Sequence, residues 1–237
     1  MTAFIQTWRG ASAIIWWIIA SPFQNIHLLM KAKDDDHAQA MLQVRSERLM
    51  ARARLKVALV GNPPPEDRGY VFCYNETSLA DVIAFSAIMW RYIDRAAAAE
   101  VFMQIPFARA VGKKAGIEVV ERGNRAKTDI VLNRMVAALQ SGLSVAWGGE
   151  GRLSGFDGVG RFKVGASLIA IRSGKSIIPV CFNGGHKAMP VRSLRAIPRT
   201  ISLRFGDPIP VVGLTEDDAR ALTDRVQAAV AALYALD

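Results

Sequence analysis

The sequence is poor in the residues that build disulfide frameworks and metal clusters. Its 237 residues include two cysteines, Cys73 and Cys181, and three histidines, His27, His37 and His186. Both cysteines lie in apolar segments, so two buried thiols in a protein of the reducing cytoplasm are the simplest interpretation. Three consecutive aspartates precede His37, but consecutive side chains do not converge on one side of a backbone. We therefore expect a helix start there rather than a metal site.

Long uninterrupted apolar runs are absent as well. The most apolar segment, residues 11–20, holds ten apolar or small residues and is followed by Ser21 and Pro22, whereas a membrane-spanning helix needs about 20 apolar residues. Apolar character continues beyond Pro22 as far as Met30. We therefore expect a helical element that lies in the membrane interface, with its tryptophans at headgroup depth. A hydrophobic helix packed on the domain itself is the alternative.

Negative charge is scarce, since 21 Asp and Glu stand against 30 Lys and Arg and give a formal net charge of +9. Such a surface attracts phosphate-bearing lipids, anionic membrane or an acidic carrier protein, and nucleic acid fits the charge equally well. We find no recognition motif that favours nucleic acid. Basic residues recur at helical spacing at Arg45, Arg48, Arg52, Arg54 and Lys56, a pattern that suits either anionic lipid headgroups or a solvated helix face.

From residue 57 onward, short apolar runs alternate with helical patterns, which is typical of an α/β domain. The predicted strands cover residues 57–60, 70–74, 117–121, 144–147, 176–182 and 200–205. The predicted helices cover residues 79–98, 126–141, 162–173 and 215–236, and a further helix is expected to start at the three aspartates and reach Lys56. We expect a mostly parallel central sheet flanked by helices at residues 56–237, behind an N-terminal interfacial helical segment at residues 1–55.

A polar turn at residues 75–81 separates the second predicted strand from an apolar-faced helix. Asn75, Thr77 and Ser78 fall where a helix N-terminus needs side-chain caps. Capping alone would explain this composition. A strand-to-helix corner is also a favourable place for catalytic residues.

Four short blocks follow one another along the chain. They read Asn-Glu-Thr-Ser-Leu-Ala-Asp at 75–81, Gly-Ile-Glu-Val-Val-Glu-Arg at 116–122, Glu-Gly-Arg-Leu-Ser at 150–154 and Ile-Ile-Pro-Val at 177–180. In this order, the chain from about residue 57 to the C-terminus resembles the glycerolipid acyltransferase family, typified by bacterial 1-acylglycerol-3-phosphate acyltransferase. Glu76 stands where that family has its catalytic histidine, and Asp81 keeps the place of the family's aspartate. Before the third block, Gly148 and Gly149 replace the family's aromatic-proline pair.

The resemblance implies transfer of a fatty acyl group from a thioester to a lipid hydroxyl without a covalent acyl-enzyme. In the family, the histidine takes the hydroxyl proton and the aspartate orients the histidine. Three interpretations of Glu76 stay open. Glu76 acts as the base if burial or the charge of Asp81, expected one helical turn away, raises its pKa. In the second interpretation, Glu76 serves a more reactive acceptor, such as an amine. In the third, the chain is a catalytically lapsed relative that acts as a lipid-binding or regulatory protein.

The resemblance also indicates which residues bind the acceptor headgroup. Arg122, Glu150, Gly151 and Arg152 are expected to do so, because a guanidinium matches phosphate with paired hydrogen bonds and the glycine lets the backbone turn closely. The family's usual arginine lies one position later, at Leu153 here. The sequence Glu-Gly-Arg-Leu-Ser at 150–154 resembles that of acyltransferase domains that re-acylate lysophosphatidylethanolamine. An ion pair of Glu150 with Arg152 or Arg122 that only holds a loop is the alternative.

The combined prediction is a membrane-associated acyltransferase with Glu76 and Asp81 at its chemical centre, and with Asn75 and Ser78 holding the substrate-binding turn. The acyl donor is expected to be an acyl carrier protein or coenzyme A thioester, and the basic charge favours the carrier protein. The acceptor is expected to be a lysophospholipid. The resemblance implies no metal or redox cofactor, and we expect no nucleic-acid partner. The expected location is the cytoplasmic face of the cell membrane.

Overall fold

The computed structural model describes residues 2–236. The helices in this part of the chain are α1 Thr2–Lys31, α2 Asp35–Ala53, α3 Leu79–Ile88, α4 Ala108–Lys114, α5 Arg125–Gln140, α6 Gly165–Ser173, α7 Gly185–Ala188 and α8 Ala219–Tyr234. The strands are β1 Leu55–Leu59, β2 Val71–Tyr74, β3 Arg95–Ala99, β4 Ile117–Val120, β5 Val145–Gly148, β6 Ile177–Asn183 and β7 Arg199–Phe205.

The strands form one mostly parallel sheet in the order β1-β7-β6-β2-β5-β3-β4. The β6–β7 pair is antiparallel, and the other neighbouring pairs run parallel. The carboxyl ends of parallel strands meet at one edge of a sheet. The segments that follow β2, β3, β4 and β5 therefore lie together at that edge, and the predicted α/β fold is confirmed.

Helices cover both faces of the sheet, as the alternation along β2 illustrates. Phe72 and Tyr74 pack into a core with α1, α2 and α3, whereas Val71 and Cys73 pack into a second core with α5, α6 and α8. This is the period of two that a strand buried on both faces requires. Cys73 and Cys181 are buried and form no disulfide within the described residues, as predicted.

One predicted helix is wrong in part. The helix expected over residues 79–98 ends at Ile88, and the chain enters strand β3 at Arg95. The four alanines at 96–99 have high helix propensity. They are drawn into the sheet because β3 pairs with β4 along Ala96–Ala99 and with β5 at Arg95 and Ala96. Helix α4 was not predicted, whereas the six predicted strands occur within two residues of their expected bounds.

Helix α1 continues through Pro22, which follows the most apolar segment of the sequence, and ends at Lys31. By length and composition alone, α1 is long and apolar enough to cross a membrane. The helix is nevertheless docked on the α/β body along its length. The Arg9 guanidinium donates to the carbonyl of Ala196 at 3.1 Å, and the Asn25 amide donates to the carbonyl of Pro106 at 2.8 Å.

The exposed side of α1 carries a continuous apolar stripe. At about 100° per residue, its large exposed side chains fall within a sector of about 140° around the helix axis. These residues, called the apolar stripe below, are Phe4, Ile5, Trp8, Ile15, Ile18, Ile19, Phe23, Ile26 and Met30. A helix that packs one side on a protein and presents such a stripe on the other suits the interface of a membrane.

Helix α2 begins where the three aspartates predicted it would. The Asp34 side chain caps the helix by accepting from the His37 backbone N–H at 2.8 Å. The helix ends at Ala53 rather than at Lys56, because Arg54 adopts a left-handed φ of 57° and β1 then starts at Leu55. The division of the chain at residue 55 stays a prediction.

Asn75 fixes the corner after β2 to the neighbouring strand β6. Its side-chain amide donates to the carbonyl of Phe182 at 2.9 Å, and its side-chain oxygen accepts from the Phe182 N–H at 2.8 Å. Asn75 is fully buried. The side chain thus continues the β2–β6 ladder by one step after the strand itself has turned away.

Replacement of Asn75 by alanine should destabilise the protein, because it leaves two buried backbone groups of Phe182 without partners. We expect Asn75→Ala to lower the free energy of unfolding by about 2–4 kcal/mol in urea denaturation followed by circular dichroism. Asn62→Ala, in an exposed turn, is the matched control. Equal stability of the two variants would contradict this structural role.

Candidate active site

The turn after β2 is organised around the buried carboxylate of Asp81. Asp81 Oδ2 accepts from the Thr77 backbone N–H at 2.8 Å, the Thr77 hydroxyl at 2.5 Å and the Ser78 backbone N–H at 3.1 Å. Ser78 is the N-cap of α3 and forms a capping box with Asp81. The other oxygen of Asp81 lies against the backbone of Gly185, where an added Cβ would approach it to 1.7 Å.

Backbone hydrogen bonds join this turn to the loop that follows β5. The Gly149 N–H donates to Tyr74 at 2.8 Å, the Ser154 N–H donates to Glu76 at 2.8 Å, and the Gly155 N–H donates to Thr77 at 3.1 Å. These bonds align the first and third sequence blocks side by side. Glu150 is thereby held beside Glu76.

The Glu76 carboxylate lies against Gly148, the last residue of β5. A Cβ at position 148 would come within 2.5 Å of Glu76 Oε2, so glycine leaves the room that the carboxylate occupies. The neighbouring Gly149 likewise leaves room for the ring of Phe162, which would lie 2.5 Å from an added Cβ. Close packing against Glu76 and Phe162 accounts for this glycine pair.

The pKa of Glu76 is raised to about 7, chiefly by burial and next by the negative charge of Glu150, while Arg122 opposes the shift and Asp81 contributes least. Glu150 is therefore the neighbouring charge that contributes most, and Asp81 raises the pKa as expected but contributes least. Glu76 lies in the turn between β2 and α3 and does not belong to α3, so Asp81 is not one helical turn away. Burial also raises the pKa of Asp81 to about 6, despite its hydrogen bonds from Thr77 and Ser78.

Glu150 is 4% exposed, and burial raises its pKa to about 7. Its Oε1 accepts from the Gly160 N–H at 3.0 Å, a bond that closes the loop after β5. Glu150 forms no salt bridge with Arg122 or Arg152 within the described residues. The loop is thus held by backbone hydrogen bonds and not by the ion pair considered from the sequence.

Two cavities meet at Glu76. The first, of about 180 Å³, runs between α2, α3, α4 and β3, and we call it the apolar cavity. Its apolar lining includes Leu49, Leu79, Val82, Ile83, Phe85, Phe102, Met103 and Val111. Tyr74, Glu76 and the alanines at 97–99 line both cavities. Because the alanine side chains of β3 are small, they leave room for a cavity on each side of Glu76.

The second cavity, of about 490 Å³, is lined by the cations Arg122, Arg125, Lys163 and Arg172, and we call it the basic cavity. Arg172 is paired with Glu216, with 2.9 Å between Nε and Oε1. Arg122, Arg125 and Lys163 have no carboxylate within salt-bridge distance among residues 2–236. Three unpaired cations around one cavity form a site suited to a phosphate group.

The structure brings together some of the residues assigned from the sequence and separates others. Glu76, Arg122 and Gly151 line the basic cavity. Arg152 is exposed and lines neither cavity. Asn75 and Ser78 are buried and hold the turn, as expected, through hydrogen bonds to the protein itself. The substrate-binding roles of these residues stay predictions.

Sequence reasoning missed Arg125 and Lys163. Lys163 lies next to Gly151, where an added Cβ would be 3.4 Å from the Lys163 side chain. Its backbone N–H donates to Gly149 at 2.8 Å, which closes the loop at residues 149–163. The sequence did contain a signal, because Lys163 falls at the start of the predicted helix 162–173, which is the first predicted element after the third block.

At this edge of the parallel sheet, an apolar cavity meets a basic one beside the partly buried carboxylate of Glu76, an arrangement suited to an amphiphilic, phosphate-bearing molecule. The Acyltransferase family matches residues 25–183, more than half of the chain. The chain therefore belongs to the acyltransferase family, and the resemblance noted in the sequence is confirmed.

Comparison with solved structures agrees on the fold. The crystal structure of the 1-acyl-sn-glycerophosphate (LPA) acyltransferase PlsC from Thermotoga maritima is similar, with a TM-score of 0.75 and 18% sequence identity over 98% of this chain and 95% of that chain. At this identity the likeness concerns the fold. No curated protein sequence matches the chain.

The raised pKa of Glu76 predicts how stability depends on pH. A carboxyl whose pKa is higher in the folded state favours folding below its unfolded value of 4.5, and loses that contribution as the pH rises through about 7. Removing the ionisable group removes this loss. We expect the stability of Glu76→Gln relative to the wild type to increase by about 1–3 kcal/mol from pH 5 to pH 8 in urea unfolding.

Glu66→Gln, at an exposed turn position, is the control for a change of net charge. A stability difference between Glu76→Gln and the wild type that stays constant from pH 5 to pH 8 would refute the raised pKa.

Proposed function

We propose that this protein transfers a fatty acyl group from an acyl thioester to a lysophospholipid in phospholipid biosynthesis or remodelling. The observation that carries the proposal is the position of Glu76 at the junction of the two cavities. An acyl chain suits the apolar cavity, and a headgroup phosphate suits the unpaired cations of the basic cavity. The acceptor hydroxyl and the thioester carbonyl would then meet at Glu76.

Glu76 serves as the base in this proposal. The acceptor oxygen attacks the thioester carbonyl while its proton passes to the Glu76 carboxylate. The carbon–sulfur bond then breaks, the leaving thiolate takes that proton, and the products are a lipid ester and a free thiol. A carboxyl with a pKa of about 7 is partly ionised at neutral pH and is more basic than an ordinary glutamate. Asp81 positions the turn that carries Glu76 rather than contacting the substrate.

Arg122, Arg125 and Lys163 are proposed to bind the acceptor phosphate, together with the backbone of Gly151. Glu150 acts through Glu76, because its buried charge helps to raise the pKa of that base. Arg152, which is exposed, is placed outside this set. The donor is an acyl carrier protein or coenzyme A thioester, and the net charge of +9 favours the acidic carrier protein.

The apolar stripe of α1 supports a peripheral position at the membrane, on the cytoplasmic face where soluble acyl thioesters are available. Because α1 is hydrogen-bonded to Ala196 near one end and to Pro106 near the other, it lies along the protein body. Only its exposed side is free to enter the bilayer. Such a position presents the site to acceptors that reside in the membrane.

Glu76→Gln tests the proposed base. We expect the rate of acyl transfer from labelled acyl carrier protein or acyl coenzyme A to lysophospholipids in detergent to fall about 10²–10⁴-fold, since the amide cannot accept the proton. The wild-type rate should rise as the pH increases through about 7, because the ionised carboxylate is the active form. Amine-bearing lipids belong in the same acceptor panel.

The replacement Glu76→His separates an active enzyme from a lapsed one. Transfer by the wild type that Glu76→Gln abolishes supports the proposal, and Glu66→Gln should retain it. Transfer by Glu76→His alone, with none by the wild type, would identify a lapsed relative whose present role is lipid binding.

Lys163→Met tests the phosphate site. We expect the KM for the lysophospholipid to rise about 10–100-fold, as for loss of a charge-assisted hydrogen bond, with little change in the KM for the acyl donor. Lys175→Met is the matched control, because Lys175 precedes β6 at the opposite edge of the sheet. A rise in the donor KM instead of the acceptor KM would place the donor, and not the acceptor, in the basic cavity.

A further inference from the structure

Helix α8 lies outside residues 25–183, the part of the chain that matches the acyltransferase family, yet its side chains contact a loop of the candidate active site. Its apolar side packs in the core that it shares with α5 and α6. Arg220, Thr223 and Gln227 follow one another at intervals of three and four residues, so they lie on one face of the helix. All three make contacts at or near Phe162 and the start of α6.

Phe162 is held by α8 through both of its backbone polar groups. Its N–H donates to Gln227 Oε1 at 2.8 Å, and its carbonyl accepts from Arg220 Nη1 at 3.0 Å. The residue lies outside the helices and strands, and its buried ring packs over Gly149. Side chains of α8 therefore supply the hydrogen bonds that a helix or strand would otherwise give to this segment.

A buried hydroxyl pair aligns α6 with the same face of α8. The Thr223 hydroxyl donates to the carbonyl of Ala219 at 2.7 Å, so it accepts from the Ser167 hydroxyl, which lies 2.7 Å away. Both hydroxyl groups are buried. Because Thr223 lies between the two residues that hold Phe162, the chain from Phe162 into α6 is fixed along one side of α8.

Lys163 is the residue between these two fixed points. Its side chain lies beside Gly151 and lines the basic cavity, and its backbone N–H closes the loop onto Gly149. A lysine is a point charge on a flexible stem, so the position of its ammonium depends on where the backbone holds the residue. Fixing that backbone before a ligand binds reduces the entropy that binding must offset.

We propose that Arg220 and Gln227 are positioning residues of the basic cavity, which hold the Phe162 backbone and thereby place Lys163 for binding the acceptor phosphate. The inference rests on the phosphate-binding role proposed for Lys163. Arg220 and Gln227 do not line the basic cavity, so they act through Lys163 and not on the ligand. They should set the affinity for the acceptor and leave the chemical step unchanged, because the turn that carries Glu76 has its own hydrogen bonds.

Gln227→Leu tests the proposal without a change of charge. We expect the KM for the lysophospholipid to rise about two- to ten-fold, as for one lost hydrogen bond, with kcat and the donor KM changed less than about two-fold. Gln227→Glu still accepts from the Phe162 N–H and should restore the KM. Likewise, Arg220→Lys keeps a donor and should raise the KM less than Arg220→Met does. A loss of stability alone would reduce the folded fraction, and hence kcat, without raising the KM.

Tyr234→Phe is the matched control. The Tyr234 hydroxyl donates to Asp157 at 2.5 Å, so this variant removes another hydrogen bond between α8 and the same loop. Asp157 lines neither cavity at Glu76 and is also paired with Lys187 at 3.0 Å. We expect the acceptor KM of this variant to change less than about two-fold. A rise equal to that of Gln227→Leu would mean that α8 only holds the loop as a whole, and would overturn the proposal.

The double variant Gln227→Leu with Lys163→Met tests whether Gln227 acts through Lys163. If it does, the acceptor KM of the double variant should equal that of Lys163→Met within about two-fold. Effects of the two substitutions that multiply would show that they act independently, and would refute the positioning role.

Calorimetric titration with glycerol phosphate, without an acyl donor, separates this inference from the proposed acyl transfer. Weaker binding by Gln227→Leu than by the wild type, with no such difference in the Lys163→Met background, would support the inference even in a protein that transfers no acyl group. An unchanged Kd and KM in Gln227→Leu, where Lys163→Met raises both, would reject the inference and keep the proposed function. No binding of glycerol phosphate, together with no effect of Lys163→Met on the KM, would reject the phosphate site and this inference with it.

Discussion

The site depends on the partial burial of the Glu76 carboxylate at the edge of the sheet, next to the buried carboxylate of Glu150. Burial disfavours the charged form of a carboxyl, and a nearby like charge adds to the effect. Together they raise the pKa of Glu76 to about 7, and Arg122 offsets part of the shift. The same burial that weakens folding at high pH keeps a basic carboxylate available near neutrality. In the proposed mechanism, stability and reactivity are thus coupled through one side chain.

The backbone around Glu76 explains how this arrangement is maintained. Gly148 leaves the space that the carboxylate occupies, and the hydrogen bond from the Ser154 N–H fixes the carbonyl of Glu76. Asn75 ties the preceding residue to β6. From the sequence resemblance we infer that Glu76 stands where the family has histidine, and Gly148 where the family has an aromatic residue. These two differences fit each other, because a Cβ at 148 would displace the carboxylate.

Much of the fold could be predicted because its signals are local. The short apolar runs that alternate with helical patterns predicted six of the strands, and the cap residues predicted the starts of α2 and α3. Strand β3 could not be predicted, since its alanines adopt the extended form only through pairing with β4 and β5. Lys163 was missed for a similar reason, because the loop at 149–163 must close before that side chain lies beside Gly151. In both cases, contacts between residues far apart in the sequence determine the structure.

The most direct test of the account is a pH titration of the Glu76 carboxyl carbon by nuclear magnetic resonance. Protein carrying carbon-13 at the glutamate side-chain carboxyls would be compared with Glu76→Gln, which identifies the signal by its loss. The account predicts that the Glu76 signal titrates near pH 7. A midpoint near the ordinary value of 4.5 would mean that the carboxylate is fully solvated or paired, and that Glu76 is not the poised base on which the proposed acyl transfer depends.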